Sequence, residues 1–175
     1  PSLKLEPQRT NLIPHSEAIQ FLNWNSNIFE YDNTQTNPEG YNGTNKTNST
    51  GVTAFTYNVS GLSAGQKVSY SMFAKSSANA NFELGNGATG SERAIFNITS
   101  GDLVSQGANV DSAYSEDYGN GWKRFIVNIT FSDVFGNGNS YAGLRWYGVG
   151  EYVYLWGFQV EQDATYPTSY IPTYG

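Results

Sequence analysis

The sequence predicts an all-β fold, a two-sheet antiparallel β-sandwich of jelly-roll type. Three observations lead there. Period-two alternation recurs in segment after segment, Gly-rich turns separate those segments, and no stretch holds helical periodicity over three turns. Asn, Gly, Ser, Thr and Tyr are plentiful while Lys and Leu are few, the usage of strands and polar loops rather than of helices. Without βα alternation the strands have to pair antiparallel in two facing sheets, and jelly-roll connectivity is the commonest closure at this size. An immunoglobulin-like sandwich is the alternative.

Taken in order, residues 2–6 alternate and predict a short edge strand stopped by Pro7. Ser16 is placed to cap one helical turn over 17–21. From 25 to 51 the chain is nearly all Asn, Thr, Gly and acid, with Phe29, Tyr31 and Tyr41 set in it. This predicts a long polar connection, and its aromatic residues point to function rather than to mere solvation. Strands are expected at 52–59 and 67–75, joined with hairpin spacing through 61–65, then at 80–84, 93–98, 122–131 and 141–147. Turns such as Gly85-Asn-Gly87 and Gly136-Asn-Gly138 divide them. The last strand, 151–162, is the longest and most apolar. Tyr152, Tyr154, Trp156, Phe158 and Val160 alternate onto one face, and Glu151, Val153, Leu155, Gly157, Gln159 and Glu161 share the other. An aromatic face of that length needs an earlier layer to cover it, so the core closes on this strand. Gly157 reads as a bulge before it reads as a place of ligand approach.

At 175 residues the chain suits one domain, 1–175, with a sizeable core. A net charge of −6 argues against general attraction to nucleic acid or to anionic membrane. No apolar run approaches the ~20 residues needed to cross a bilayer. The absence of cysteine removes disulfides, thiolate nucleophiles and Cys-based zinc sites. Pro1 and Gly175 read as cuts through linkers, so targeting information is expected outside the module. Catalysis is not expected: the acid pairs Glu116/Asp117 and Glu161/Asp163 are sequence neighbours, which rarely face each other across a cleft, and His15 has no triad context.

The outward faces are more informative. On 122–131, Phe125, Val127, Ile129 and Phe131 point inward and leave Trp122, Arg124 and Asn128 outside. On 141–147, Ala142, Leu144 and Trp146 suit the core, with Tyr141, Arg145 and Tyr147 outside. On 67–75, Phe73 and Lys75 lie opposite Val68, Tyr70, Met72 and Ala74. Exposed aromatic rings beside hydrogen-bonding groups are what a sugar requires, since it offers apolar C–H faces and a rim of hydroxyls. The expected ligand site is therefore Trp122, Arg124, Arg145 and Tyr147, with Phe73 and Lys75, bordered by Tyr31 and Tyr41. Two Arg on one face suit a uronate, sulfate or pyruvate group, with neutral glucan also open.

The opening Ser2-Leu-Lys-Leu-Glu-Pro-Gln-Arg-Thr-Asn-Leu-Ile13, the Gly121-Trp-Lys-Arg124 step, Leu155-Trp-Gly-Phe-Gln-Val-Glu161 and Pro167-Thr-Ser-Tyr-Ile-Pro-Thr173 resemble a β-sandwich carbohydrate-binding module. The type is that of families 4, 9, 16 and 22. The resemblance implies a non-catalytic, secreted or cell-surface module that holds an appended polysaccharide-degrading enzyme, as in marine bacteria, on an algal or cell-wall polysaccharide. Similar domains in phage virion proteins give the alternative of a structural or adhesive domain. It also implies a structural calcium ion near the joined termini, with Glu17, Glu161, Gln159 and Asp163 as candidate ligands. Gln159 stands where those families often carry an acid.

Overall fold

A computed structural model describes residues 6–19, 29–47, 52–76, 80–87, 89–133, 139–147 and 152–174, with backbone alone at 29, 52–55 and 139–147. The described residues form eleven strands: β1 (Phe29–Thr36), β2 (Asn42–Thr47), β3 (Val52–Ser60), β4 (Lys67–Ser76), β5 (Asn81–Asn86), β6 (Arg93–Asn97), β7 (Leu103–Gln106), β8 (Val110–Gly119), β9 (Trp122–Thr130), β10 (Asn139–Tyr147) and β11 (Val153–Gln162). One sheet runs β1-β2-β11-β4-β9-β8 and the other β3-β10-β5-β6-β7. Every pairing is antiparallel. Within them the orders β2-β11-β4-β9 and β3-β10-β5-β6 are the two halves of a jelly roll. Of the expected edge strand at 2–6 only Glu6 is described, and of the expected helical turn at 17–21 only residues 17–19.

The main core sits between the sheets. Phe82 and Phe96 of the five-stranded sheet reach Phe125 of the other at 5.3 and 5.1 Å between ring centroids. Val68, Tyr70, Met72 and Ala74 on β4 and Phe125, Val127 and Ile129 on β9 line the same core, as their alternation predicts. Each Val, Ile, Met or Phe among them contributes about 1.5–3 kcal/mol by leaving water, so these two strands anchor the sheet.

Two expectations are corrected. Residues 25–51 were expected as one long polar connection, yet 29–36 and 42–47 form the β1–β2 hairpin, which joins the sheet through Thr47 opposite Val153. Pairing with the apolar edge of β11 supplies what a Thr- and Asn-rich segment lacks in its own propensity. The second correction is on β11. Val153 and Leu155 belong to the main core, as do Phe158 and Val160, while Trp156 lies in a second cluster with Tyr154 packed against it. The alternation therefore reverses in mid-strand. Its register with β4 slips between Trp156 and Gln159, where Gly157 has φ +65°. The bulge expected at Gly157 is present, and it splits the aromatic residues that unbroken alternation would have put on one face.

A Cβ at position 157 would lie 2.9 Å from Phe73 Cδ2 and 3.1 Å from Tyr170 Cε2. Left-handed backbone costs a side chain about 1–2 kcal/mol, and displacing packed rings adds a similar amount. Gly157→Ala is accordingly expected to destabilise the protein by about 2–4 kcal/mol in urea denaturation. An unchanged midpoint would mean that the bulge does not hold the strand.

Candidate functional site

The outward face of the six-stranded sheet is built in ranks fixed by register. Trp156, Phe73, Arg124 and Glu116 stand side by side on β11, β4, β9 and β8; Gln159, Ser71, Ile126 and Tyr114 form the next rank, and Glu161, Ser69, Asn128 and Ser112 the third. This face is largely covered. Asn11 acts as a clamp: its amide nitrogen donates to the carbonyls of Phe158 and Ile171, while its oxygen accepts from the backbone N–H groups of Ile13 and Val160. Gln159 accepts from the Ile171 N–H at 2.7 Å, and Arg124 donates to the Thr168 carbonyl at 2.8 Å. The segments 11–16 and 168–173 are thereby tied onto the sheet, and Ser16 and Thr173 bond one another through backbone and hydroxyl groups.

Beneath that cover lies a second aromatic layer. Phe73, Trp122 and Trp156 are no more than 2% exposed. Phe73 meets Trp156 at 5.4 Å between centroids, and Tyr170 packs on Trp156 at 4.3 Å. Each end of the layer carries a tyrosine that reaches solvent: Tyr41 edge-on to Trp156 at 6.4 Å and Tyr118 edge-on to Phe73 at 4.8 Å, both 45% exposed. From the turn before β2 to the end of β8 the rings step by 6.4, 5.4 and 4.8 Å between centroids, which puts Tyr41 and Tyr118 at most about 17 Å apart. Rigid, half-exposed rings on a buried support are suited to stacking against an extended apolar surface.

Local chemistry holds both tyrosines. The buried Asn37 shapes the β1–β2 turn: its side-chain oxygen accepts from the N–H of Glu39 and of Tyr41, and its own N–H donates to the Tyr41 carbonyl. Trp122 is pinned by its indole N–H to the Thr36 carbonyl at 2.9 Å. Tyr118 precedes the turn Gly119-Asn120-Gly121, all at positive φ. There Asp117 accepts from the Gly119 N–H at 2.7 Å and from Lys123 at 3.0 Å, and these bonds hold its carboxyl below the usual range. Lys75 lies along the same turn, its stem 3.4–3.7 Å from where a Cβ of Gly121 would stand.

Glu17 binds the remaining hydroxyls. It accepts from Tyr41 at 3.1 Å and from Tyr170 at 3.4 Å, and the Tyr170 hydroxyl also pairs with Ser16 at 2.6 Å. Burial is the largest influence on the Glu17 carboxyl and raises its pKa; the tyrosine bonds oppose it and the charge of Glu39 adds to it. Burial, then the charge of Glu17, pushes Tyr41 well above the phenol range; Tyr170 is raised for the same reasons, against the pull of Ser16. Both tyrosines therefore keep their protons.

Several expected site residues are placed otherwise. Trp122 and Arg124 do occupy the outward face, but they are 1% and 3% exposed because the 36–41 turn and the 168–173 segment cover them. Arg124 donates to Ser71 and Thr168 and lies 5.5 Å from the Phe73 ring centroid, which leaves no free guanidinium fork on the surface. Arg145 and Tyr147 lie on β10 in the other sheet, so the four residues expected on one face are divided between two sheets. Tyr31 is 54% exposed, but it pairs with Asn45 beside the core-facing Leu155, on the side of the sheet away from Phe73. Phe73 is the buried support, whereas Tyr41 is one of the exposed rings and Lys75 stands by the turn after the other. Tyr118 was missed, although the Gly-Asn-Gly pattern after it is the one read as a turn signal at 85–87 and 136–138 of the sequence.

Of the expected calcium ligands, Gln159 adjoins Glu161, but Glu17 and Glu161 are each taken up by separate partners. Glu17 is engaged with Tyr41 and Tyr170, whereas Glu161 accepts from the Thr168 N–H at 3.0 Å, the Thr168 hydroxyl at 2.7 Å and Gln159 at 2.8 Å, with Arg9 3.9 Å away. A carboxylate ringed by hydrogen-bond donors and a guanidinium does not fit a divalent cation. Among the described residues no three acids or histidines gather as a metal site.

No family model matches the chain, and neither does any curated protein. Solved structures do match in fold. A family 61 carbohydrate-binding module in complex with β-1,4-galactotriose is similar with a TM-score of 0.54 at 10% identity, over 86% of this chain and 97% of that one. A family 16 carbohydrate-binding module is similar with a TM-score of 0.51 at 13% identity, over 86% and 99%. The chain has the β-sandwich fold of carbohydrate-binding modules.

Two measurements test the site's electrostatics. Because the folded pKa of Glu17 is raised, stability tied to its proton is present below the unfolded value and is lost as pH rises through the folded one. Glu17→Gln, neutral throughout, should therefore gain melting temperature over wild type as pH rises from about 4 to 7; a constant difference would refute the raised pKa. A chelator is expected to leave Tm unchanged, whereas Arg9→Ala should lower it by exposing the Glu161 charge; a calcium-dependent Tm would contradict the donor assignment.

Proposed function

We propose that this chain is a non-catalytic sugar-binding module whose ligand lies across Tyr41 and Tyr118, with Lys75 and the half-buried Tyr154 between them. The observation that carries the proposal is the aromatic row Tyr41–Trp156–Phe73–Tyr118, exposed only at its ends and supported from below. Each ring offers a face to the C–H side of a pyranose, while Lys75 and Glu17 supply a donor and acceptors for its hydroxyls. The length of the row favours an oligosaccharide stretch over a single sugar. The fold it shares with carbohydrate-binding modules supports the same reading. A module of this kind is secreted or displayed and serves a polysaccharide-degrading enzyme by keeping it on its substrate; the sequence resemblance supports that placement.

Affinity electrophoresis through a panel of polysaccharides, followed by calorimetry on an oligosaccharide of whichever is retained, tests the reading. Tyr118→Ala and Tyr41→Ala are each expected to weaken binding about ten- to thirtyfold, as exposed aromatic anchors do, while near-ultraviolet circular dichroism stays native. Undiminished affinity in both variants would move the site off this row.

A further inference from the structure

We propose that the Tyr41 end of the row selects a neutral glycan and rejects one bearing carboxylate or sulfate, because the polar groups presented there are acceptors. This rests on the sugar-binding reading above and concerns the same surface. The Tyr41 hydroxyl proton is directed to the Glu17 carboxylate at 3.1 Å, and the Tyr170 hydroxyl is taken up between that carboxylate at 3.4 Å and the Ser16 hydroxyl at 2.6 Å. What remains for a ligand is the lone pairs of the Tyr41 oxygen and of the carboxylate itself. Glu39, two residues before Tyr41 on the same turn, adds a second negative charge, and it acts electrostatically on both Glu17 and Tyr41. Sugar hydroxyls donate to such a rim. An anionic substituent would instead meet like charge.

The cations nearby do not offset this. Arg124 is buried and donates to Ser71 and Thr168, Lys123 is paired with Asp117 at 3.0 Å, and Lys46 is paired with Glu30 at 3.5 Å and lies over the Tyr152 ring. On β8, Glu116 stands in register with Arg124, on the outward face that Tyr118 extends. That leaves Lys75 as the solvent-facing cation of this face that has no carboxylate partner among the described residues. It lies by the Gly121 turn, toward the Tyr118 end, where a single ammonium serves a neutral sugar as a hydroxyl-directed donor. The uronate or sulfate preference expected from two arginines on one face therefore lacks its arginines.

The test compares neutral polysaccharides (β-1,4-galactan, xylan, mannan, mixed-linkage glucan) with polygalacturonate, alginate and carrageenan, using wild type and Glu17→Gln. Wild type should be retarded only by one or more of the neutral polymers. Glu17→Gln, which keeps an oxygen to accept from the tyrosines, should narrow the gap between neutral and acidic polymers at least about fivefold. Retardation by an acidic polymer more strongly than by every neutral one would overturn the charge inference and leave the sugar-binding reading intact, as would a gap unmoved by Glu17→Gln. No retardation by any of the seven would overturn the sugar-binding reading, and the charge inference with it.

Discussion

Everything on the outward face depends on the reversal at Gly157. Before it, Val153 and Leu155 enter the main core while Tyr154 and Trp156 face out; after it, Phe158 and Val160 enter the core while Gln159 and Glu161 face out. One strand thus serves two interiors. Trp156 completes the aromatic layer that supports Tyr41, and Gln159 and Glu161 receive the segment 168–171 that closes over Arg124. The absence of a side chain at 157 also lets the Phe73 and Tyr170 rings close on the bulge from two sides.

Much of the architecture was legible in local pattern. The inward sets on β4 and β9 follow from alternation alone, because a half-buried strand must put every second residue in the core. β8 was not legible: its Asp-, Ser- and Glu-rich sequence has one paired side and an open edge, so no apolar period marks it. Alternation gives the face of a residue but not the sheet to which its strand belongs. Arg124 and Arg145 were therefore grouped on one face although their strands belong to different sheets. Nor does alternation reveal a cover contributed from elsewhere in the chain. Trp122 is closed over by Thr36 and Arg124 by Thr168, partners 86 and 44 residues distant. Of the expected ligand residues, Tyr41 is one of the exposed rings and Lys75 lies by the turn that follows the other, and the resemblance to carbohydrate-binding modules agrees with the fold of the solved structures.

The same cover accounts for the Glu161 region. A buried carboxylate needs compensation, and here it comes from the chain itself: the Thr168 N–H and hydroxyl, the Gln159 amide and the Arg9 guanidinium. An amide at 159 suits this arrangement better than an acid would, because it donates to Glu161 and still accepts from Ile171. With an acid there, two buried carboxylates would be neighbours, and a cation would become necessary.

The jelly-roll order also bears on how the chain reaches its fold. β11 lies between β2 and β4, and β10 lies between β3 and β5, so the last two of the described strands are interior strands of the two sheets. Until they emerge from the ribosome, each sheet exists as separate pieces whose facing edges have open hydrogen-bonding rows. A nascent chain in that condition can pair with its neighbours as readily as with itself. Closure needs contacts of long sequence separation, which are slow to form. The folding of this module is thus a late event, and the interval before β11 arrives is when it is most exposed to aggregation.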